Sequence, residues 1–329
     1  MRIGLTCTMR RDAADDGVWN DAEEEFDSAD TVGRIADGLA ALGHEVEVLG
    51  DGEALMRRLL DGPRPELVFN IAEGRGASRN REAWVPALLE TMGIPYTGSD
   101  PLTLSVTLDK DVAKRLVDQG GVATPRCVVV DGHIDVDALA GLRFPVIVKP
   151  SFEGSSKGIV TRSVVEGPEA LVALVTELSG RYSQPVLCEE YIDGDELTVG
   201  MVGGRDPRVL GILRVIPRKN NGRFVYGLEM KRSWREEIIY EAPARLSVED
   251  QAAVEAAARR AWQALGCRDV SRMDFRLRDG VPFFIEVNPL PGLSPESGDI
   301  VLLSRGSGIP YESLLEMIIN AACTRLGLG

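Results

Sequence analysis

In "RMDFRLRDGVPFFIEVNPLPG" (residues 272–292) every second residue is apolar along each of two arms, 273–277 and 283–287. Met273, Phe275 and Leu277, then Phe283, Ile285 and Val287, are apolar, while Arg272, Asp274, Arg276, Glu286 and Asn288 stand between them. A period of two means strands with one buried and one polar face. Asp279-Gly280 marks the turn of a hairpin. A two-residue turn would set Asp274 opposite Ile285 and mix the faces. A three-residue loop over 279–281 pairs Asp274 with Glu286 and Arg272 with Asn288, so the longer loop is expected.

That pairing sets two carboxylates face to face. About 4–5 Å apart, they repel by roughly 3–4 kcal/mol at an effective dielectric near 20. A positive charge is therefore expected between them, either an arginine (Arg272 or Arg276) or a divalent cation. Asn288 adds a neutral oxygen donor beside the two acids, and an all-oxygen set suits magnesium. Magnesium in an acidic protein points to nucleotide phosphates as the remaining ligands.

The chain around the hairpin has 329 residues, enough for two or three packed lobes. Its 44% hydrophobic and 27% charged residues are those of a globular protein. The net charge of −14 disfavours nucleic acid and anionic lipid as partners, so a polyanionic ligand needs a local cationic pocket. "MRIGLTCTMRRD" is too short an apolar start for a signal peptide, and no run reaches the roughly 18 residues of a membrane span; a cytoplasmic protein is expected. Cys7, Cys127, Cys188, Cys267 and Cys323 are scattered singly, which argues against a disulfide framework or structural zinc.

Three blocks emerge, at 1–105, 106–190 and 191–329. The first alternates strand-like "RIGLTCT", "EVEVL", "ELVFNIA" and "IPYTG" with helical runs such as "ADTVGRIADGLAALG", which implies a parallel sheet. The acid-rich "DAADDGVWNDAEEEFDSAD" reads as a solvated loop leading into a helix capped by Asp27 or Ser28. The second block has a helix through "LDKDVAKRLVDQGG", strands at "RCVVV", "FPVIVKP" and "GIVTRSVV", and a helix at "PEALVALVTELS". The third, with "DELTVGMV", "RVLGILRVI", a helix over "SVEDQAAVEAAARRAWQALG", the hairpin and a closing helix, reads as an antiparallel sheet covered by helices.

Lys149 ends an apolar strand immediately before "SFEGSSKG", small residues whose backbone N–H groups can wrap phosphate oxygens. A surface turn is the plainer reading of that loop alone. There is no P-loop GK[ST], and Arg79 stands where GxGxxG would need its third glycine. "VLCEEYIDGDELTV" offers Glu189, Glu190 and Glu196 either as acceptors for nucleotide amino and hydroxyl groups or as acids flanking an exposed turn. Lys110 alone reads as a solvated helical lysine.

In order and spacing, "LDK", "VKPSFEGSSKG", "EEYIDGDELTV", "RMDF" and "IEVNPLPGLSP", with "GIPYTGSDPL" ahead of them, resemble the ATP-grasp superfamily, and within it the D-alanine:D-alanine ligase family. The resemblance spans nearly the whole chain. It implies an α/β (α+β) ATP-grasp fold of three lobes, with ATP between the central and C-terminal lobes. It implies Lys110, Lys149 and Lys231 on ATP, with Glu153, Gly154, Ser155 and Ser156 in a loop closing over the phosphates. Adenine would lie beside Glu189, Glu190, Tyr191 and Ile192, and ribose beside Glu196. Asp274, Glu286 and Asn288 would hold two magnesium ions, which manganese can replace. Arg272, the Gly292 N–H and Ser155 would serve the reacting centre, and Ser297 the second substrate's carboxylate. The implied chemistry is amide formation through an acyl phosphate, for cell-wall peptidoglycan, in a cytoplasmic enzyme that acts on small-molecule substrates and forms a homodimer.

The sequence departs from that family in four places. "TCTMRRDAADDGVWNDAEEEFDS" replaces its N-terminal signature, leaving Glu23 or Glu25 for the first substrate's ammonium. Glu73-Gly74 stands for histidine-glycine, Lys231-Arg232 for lysine-tyrosine, and Gly298 for a bulky apolar residue, which is expected to enlarge the second pocket. Two rivals follow: a ligase for L-amino acids or another carboxylate, and a non-catalytic ATP-binding module.

Overall fold

The computed structural model describes residues 1–11, 21, 23–132, 139, 141–219 and 223–328; most of the acid-rich loop, residues 12–20 and 22, lies outside them. Three sheets carry the chain. The first is parallel, in the order β2-β1-β3, with β1 (Arg2–Cys7) between β2 (Glu45–Val48) and β3 (Leu67–Ile71). Ile3, Leu5 and Cys7 of β1 are buried against Val32, Ile35 and Leu39 of the helix Ala29–Ala41, whose period of 3.6 turns one stripe to the sheet. Ser28 is its cap, accepting from Thr31 N at 3.1 Å. "IPYTG" makes no strand: Tyr96 forms only an isolated bridge with Val68.

The second sheet is antiparallel, in the order β4-β7-β5-β6: β4 (Cys127–Val130), β5 (Val146–Pro150), β6 (Val164–Val165) and β7 (Val186–Glu190). The expected strand over "GIVTRSVV" shrinks to β6. The Ser163 hydroxyl accepts from Val160 N at 3.0 Å and closes a 3-10 turn over Thr161–Ser163. The helix Pro168–Tyr182 lays Leu171, Leu174, Val175 and Leu178 on Val146, Val148, Val186 and Cys188.

The third sheet is antiparallel, in the order β10-β9-β8-β11-β12, with β8 (Asp195–Gly203), β9 (Arg208–Pro217), β10 (Ile238–Glu241), β11 (Asp269–Arg278) and β12 (Val281–Asn288). Met273, Phe275 and Phe284 pack under Trp262 and Ala258 of the helix Val248–Leu265, and under Ala113 and Val117 of the helix Lys110–Gln119. A separate core joins the helices Asp299–Gly306 and Tyr311–Leu326 to this sheet and to the first. No helix among the described residues is long and apolar enough to cross a membrane.

The hairpin pairs as expected, with Asp274 opposite Glu286 and Arg272 opposite Asn288, but by a different device. The turn has two residues, since Arg278 pairs with Val281, and Asp279 and Gly280 both take positive φ (+51° and +74°) as a type I′ turn requires. Phe275 then pairs with Phe284, so the extra residue is Ile285, a β-bulge. The bulge restores the register and leaves Ile285 and Glu286 lining the same cavity.

Candidate functional site

A cleft opens between the second and third sheets. The ends of β5 and β7 supply Lys149, Glu189 and the start of the Tyr191-Ile192 segment, and the third sheet supplies Glu196, Asp274, Arg276 and Glu286. Ile147, Ile159, Ile192, Val225 and Ile285 make its apolar walls. Lys149 Nζ lies 2.5 Å from Glu189 Oε1, and Lys114 Nζ lies 2.8 Å from Glu189 Oε2. Burial pulls both ammoniums down, but for Lys149 the attraction of Glu189 and Glu286 outweighs it and holds the group above its ordinary value. Glu189, though buried, is held below the ordinary carboxylate range by the two lysines. Both carboxylate oxygens are thus engaged by ammonium groups.

The helix Lys110–Gln119 turns Lys110, Ala113, Lys114 and Val117 inward, which buries Lys110 instead of solvating it. Lys110 Nζ donates to the Glu153 carbonyl and lies 3.7 Å from Glu286 Oε2. In the glycine-serine loop Ser155 and Ser156 sit at φ +49° and +59°, a left-handed conformation that costs about 1–2 kcal/mol per residue. It is held by Ser156 Oγ on Tyr226 O (3.2 Å) and Lys157 N on Gly154 O (3.0 Å). The Glu153 side chain accepts from Gln184 Nε2 at 2.6 Å and pairs with Lys157, so it anchors the loop.

On the hairpin face Arg272 sits between the acids. Nη2 is 2.9 Å from Asp274 Oδ2 and 3.6 Å from Glu286 Oε1, and Nη1 is 3.2 Å from Asp299 Oδ2. Burial opposes the Arg272 charge, but Asp274, Asp299 and Glu286 overcome it and raise its pKa. The acids divide. Burial, with Glu286 opposite, pushes Asp274 up to about 6, whereas Lys110, Lys149 and Arg272 overcome burial and hold Glu286 at about 2. The donor set fits magnesium: two facing carboxylates and an amide, all oxygen. Asn288 Oδ1 takes the Leu290 N–H at 2.8 Å and keeps a second lone pair. No group of three His, Cys, Asp or Glu residues among the described ones could hold an ion, so phosphate and water would complete such a shell.

A second cavity continues from the first across Glu286, which lines both. Around it stand Lys110, Gly154, Ser155, Arg272 and Asn288 from the elements above, and Glu25, Glu73 and Glu82 from the N-terminal part. Glu25, not Glu23, reaches it: the Glu23 carboxylate is turned to Arg75 (3.0 Å) and to the Arg11 N–H (2.8 Å). Glu25 takes both oxygens to Arg81 Nη2 (3.2 and 3.1 Å) and lies 3.4 Å from Lys157 Nζ. The Arg81 side chain is fully buried. Arg81→Met is expected to cost about 3–5 kcal/mol in chemical denaturation, because it strands Glu25 beside Glu153 without its main counterion.

Other expectations are corrected. Glu190 lines the first cavity, but its carboxylate is paired with Arg143 Nη2 (3.0 Å), away from Glu189 as the strand's alternation demands. Arg232 is paired with Glu24 at 2.6 Å, tying the short helix Leu228–Arg232 to the N-terminal loop. Lys231 faces the first cavity with its ammonium over the Tyr226 ring at 5.0 Å. Gly298 opens no space, since a Cβ there would lie 2.3 Å from the Gly292 carbonyl oxygen. Ser297 is exposed, with its hydroxyl donating to Ser294 Oγ, and Gly292 is exposed. The sequence reading missed Lys114, Arg81, Lys157 and Glu82, and Arg276, expected as a charge between the two acids, instead lies 2.5 Å from Glu196 Oε2 and is stacked on Tyr191 and Phe224. Lys114 alone had a signal, four residues after Lys110.

Residues 130–320 match the sequence profile described as the D-ala D-ala ligase C-terminus. A D-alanine-D-alanine ligase from Ralstonia nicotianae is 35% identical over 247 residues, covering 74% of this chain and 71% of that protein. The chain belongs to the D-alanine-D-alanine ligase family. The family's ligase from Aquifex aeolicus is 31% identical, covering 87% of this chain and 92% of its own. An uncharacterized protein y4sG from Sinorhizobium fredii is 33% identical over 89% and 88%. The fold is that of the Bacillus anthracis D-alanine-D-alanine ligase crystallised with ATP, with a TM-score of 0.78, 24% identity and full coverage of both chains. As a member of this family, the protein is an ATP-dependent ligase that forms a dipeptide bond.

Proposed function

We propose that the protein joins two amino acids by activating the first as an acyl phosphate, with ATP in the cleft and the amino acids in the second cavity. The supporting observation is the junction at Glu286, where the two cavities meet beside Lys110 and Arg272. A terminal phosphate at that junction lies next to any carboxylate in the second cavity. Lys149 and Lys110 offset its charge, the Ser155 and Ser156 N–H groups wrap it, and Glu189 holds Lys149 in place. Adenine meets the backbone at Tyr191 and Ile192, between the apolar walls. Glu196, oriented by Arg276, takes the ribose hydroxyls. Magnesium held by Asp274, Glu286 and Asn288 supplies charge neutralisation at the phosphates.

The first amino acid's carboxylate attacks the terminal phosphorus, and ADP leaves. The second amino acid's free amine then attacks the acyl carbon, Arg272 and the Gly292 N–H stabilise the oxyanion, and phosphate leaves as the amide forms. D-alanine, the substrate in the relatives' names, is the reference substrate, and ATP with free amino acids places the reaction in the cytoplasm. Hydroxylamine added in place of the second amine will trap the acyl phosphate as a hydroxamate, read by mass. ATP binding with no hydroxamate from any amino acid would instead support an ATP-binding module without turnover.

A further inference from the structure

The carboxylates around the second cavity are not all answered by cations. Glu25 is paired with Arg81 and Lys157, Glu153 with Lys157, and Glu286 with Lys110 and Arg272. Glu73, after the end of β3, and Glu82, in the 3-10 turn Arg81–Ala83, face each other, and among the described residues no lysine or arginine nitrogen makes a salt bridge with either, although the Arg81 charge acts on both from further off. Glu82 is only 6% exposed, yet it lines the cavity with Glu73. Two buried carboxyls facing one another are unfavourable unless a proton or an incoming cation sits between them. Burial pushes both up, Glu82 to about 7 against the pull of Arg81, and Glu73 well above the ordinary range with Glu82 and Glu25 adding to it.

Because Arg81 and Lys157 already answer Glu25, a cation for the acid pair comes with the substrate and displaces the proton between the two carboxyls. With its carboxylate at Arg272 and Lys110, as the ligase reading has it, the same molecule would present nitrogen to the acid pair from its other end. One α-ammonium answers one carboxylate and leaves the second unpaired.

We propose that Glu73 and Glu82 select a first substrate bearing a second cationic nitrogen besides its α-ammonium, that is, a short diamino acid. This rests on the ligase reading and adds the substrate class to it. The neutral isostere is the control: 2,4-diaminobutyrate against 2-aminobutyrate, each enantiomer, titrated calorimetrically into the intact protein, with ADP and amide product measured in parallel after addition of magnesium, ATP and a second amino acid. The diamino acid is expected to bind about tenfold or more tighter, the worth of a charged hydrogen bond in a buried site. Glu73→Gln and Glu82→Gln each should bring the two ligands within about twofold. Equal binding to the wild type, no binding of the diamino acid, or a preference unchanged in both variants overturns the inference. Equal binding with amide product leaves the ligase reading standing. Selective binding with no ADP and no product overturns that reading and keeps the acid pair's selectivity.

Discussion

Glu286→Ala will abolish magnesium-dependent ADP release, lowering turnover by about a thousandfold or more, while the protein stays folded. The carboxylate stands on the polar face of β12 opposite Asp274, near Lys110 and Arg272, and borders both cavities. Among the described residues no other acid lines both the cavity proposed for ATP and the cavity proposed for the amino acids. The core under the hairpin is made by Met273, Phe275, Phe284 and Val287, none of which the substitution alters. An unchanged melting transition with no ADP release is the expected pair of results. Full activity in the variant would sink the metal assignment.

Arg272→Lys will separate the two halves of the reaction. The guanidinium forks between Asp274 and Asp299, and an ammonium cannot reproduce that planar fork. Loss of one fixed oxyanion donor costs about 10²–10³-fold in rate. Amide formation should fall by about that factor, whereas hydroxamate trapping, which reports the acyl phosphate, should fall less. The lysine keeps a positive charge among Asp274, Asp299 and Glu286, so it avoids most of the roughly 3–5 kcal/mol that stranding those buried acids would cost. Equal loss of both products would place Arg272 on the phosphate and not on the tetrahedral centre.

The pairing of the hairpin was legible because a period of two tolerates only one register with a clean core face. The bulge at Ile285 was not: alternation says that one residue must be absorbed but not where, and Asp279-Gly280 took the tight turn its conformational freedom allows. Lys149 was readable from its place at a strand end. Lys110 read as solvated until the helix's buried face was seen to carry Lys114 as well. The choice of Glu25 over Glu23 depends on Arg81, and nothing in "SRNREA" says that its arginine is fully buried or that Glu82 closes against Glu73. The first contact joins segments 56 residues apart, and the second folds a loop back on itself, so the local pattern carries information on neither. The expected space at Gly298 failed for a similar reason: it is filled by the backbone of another turn, at Gly292.

The most direct measurement is the stoichiometry of ADP to amide product in one mixture of protein, ATP, magnesium and a panel of D- and L-amino acids that includes D-alanine and short diamino acids. One amide formed per ADP released, from at least one pair and absent without magnesium, is the predicted result. ATP bound with neither ADP nor amide from any pair, or ADP released with no amide, would contradict it.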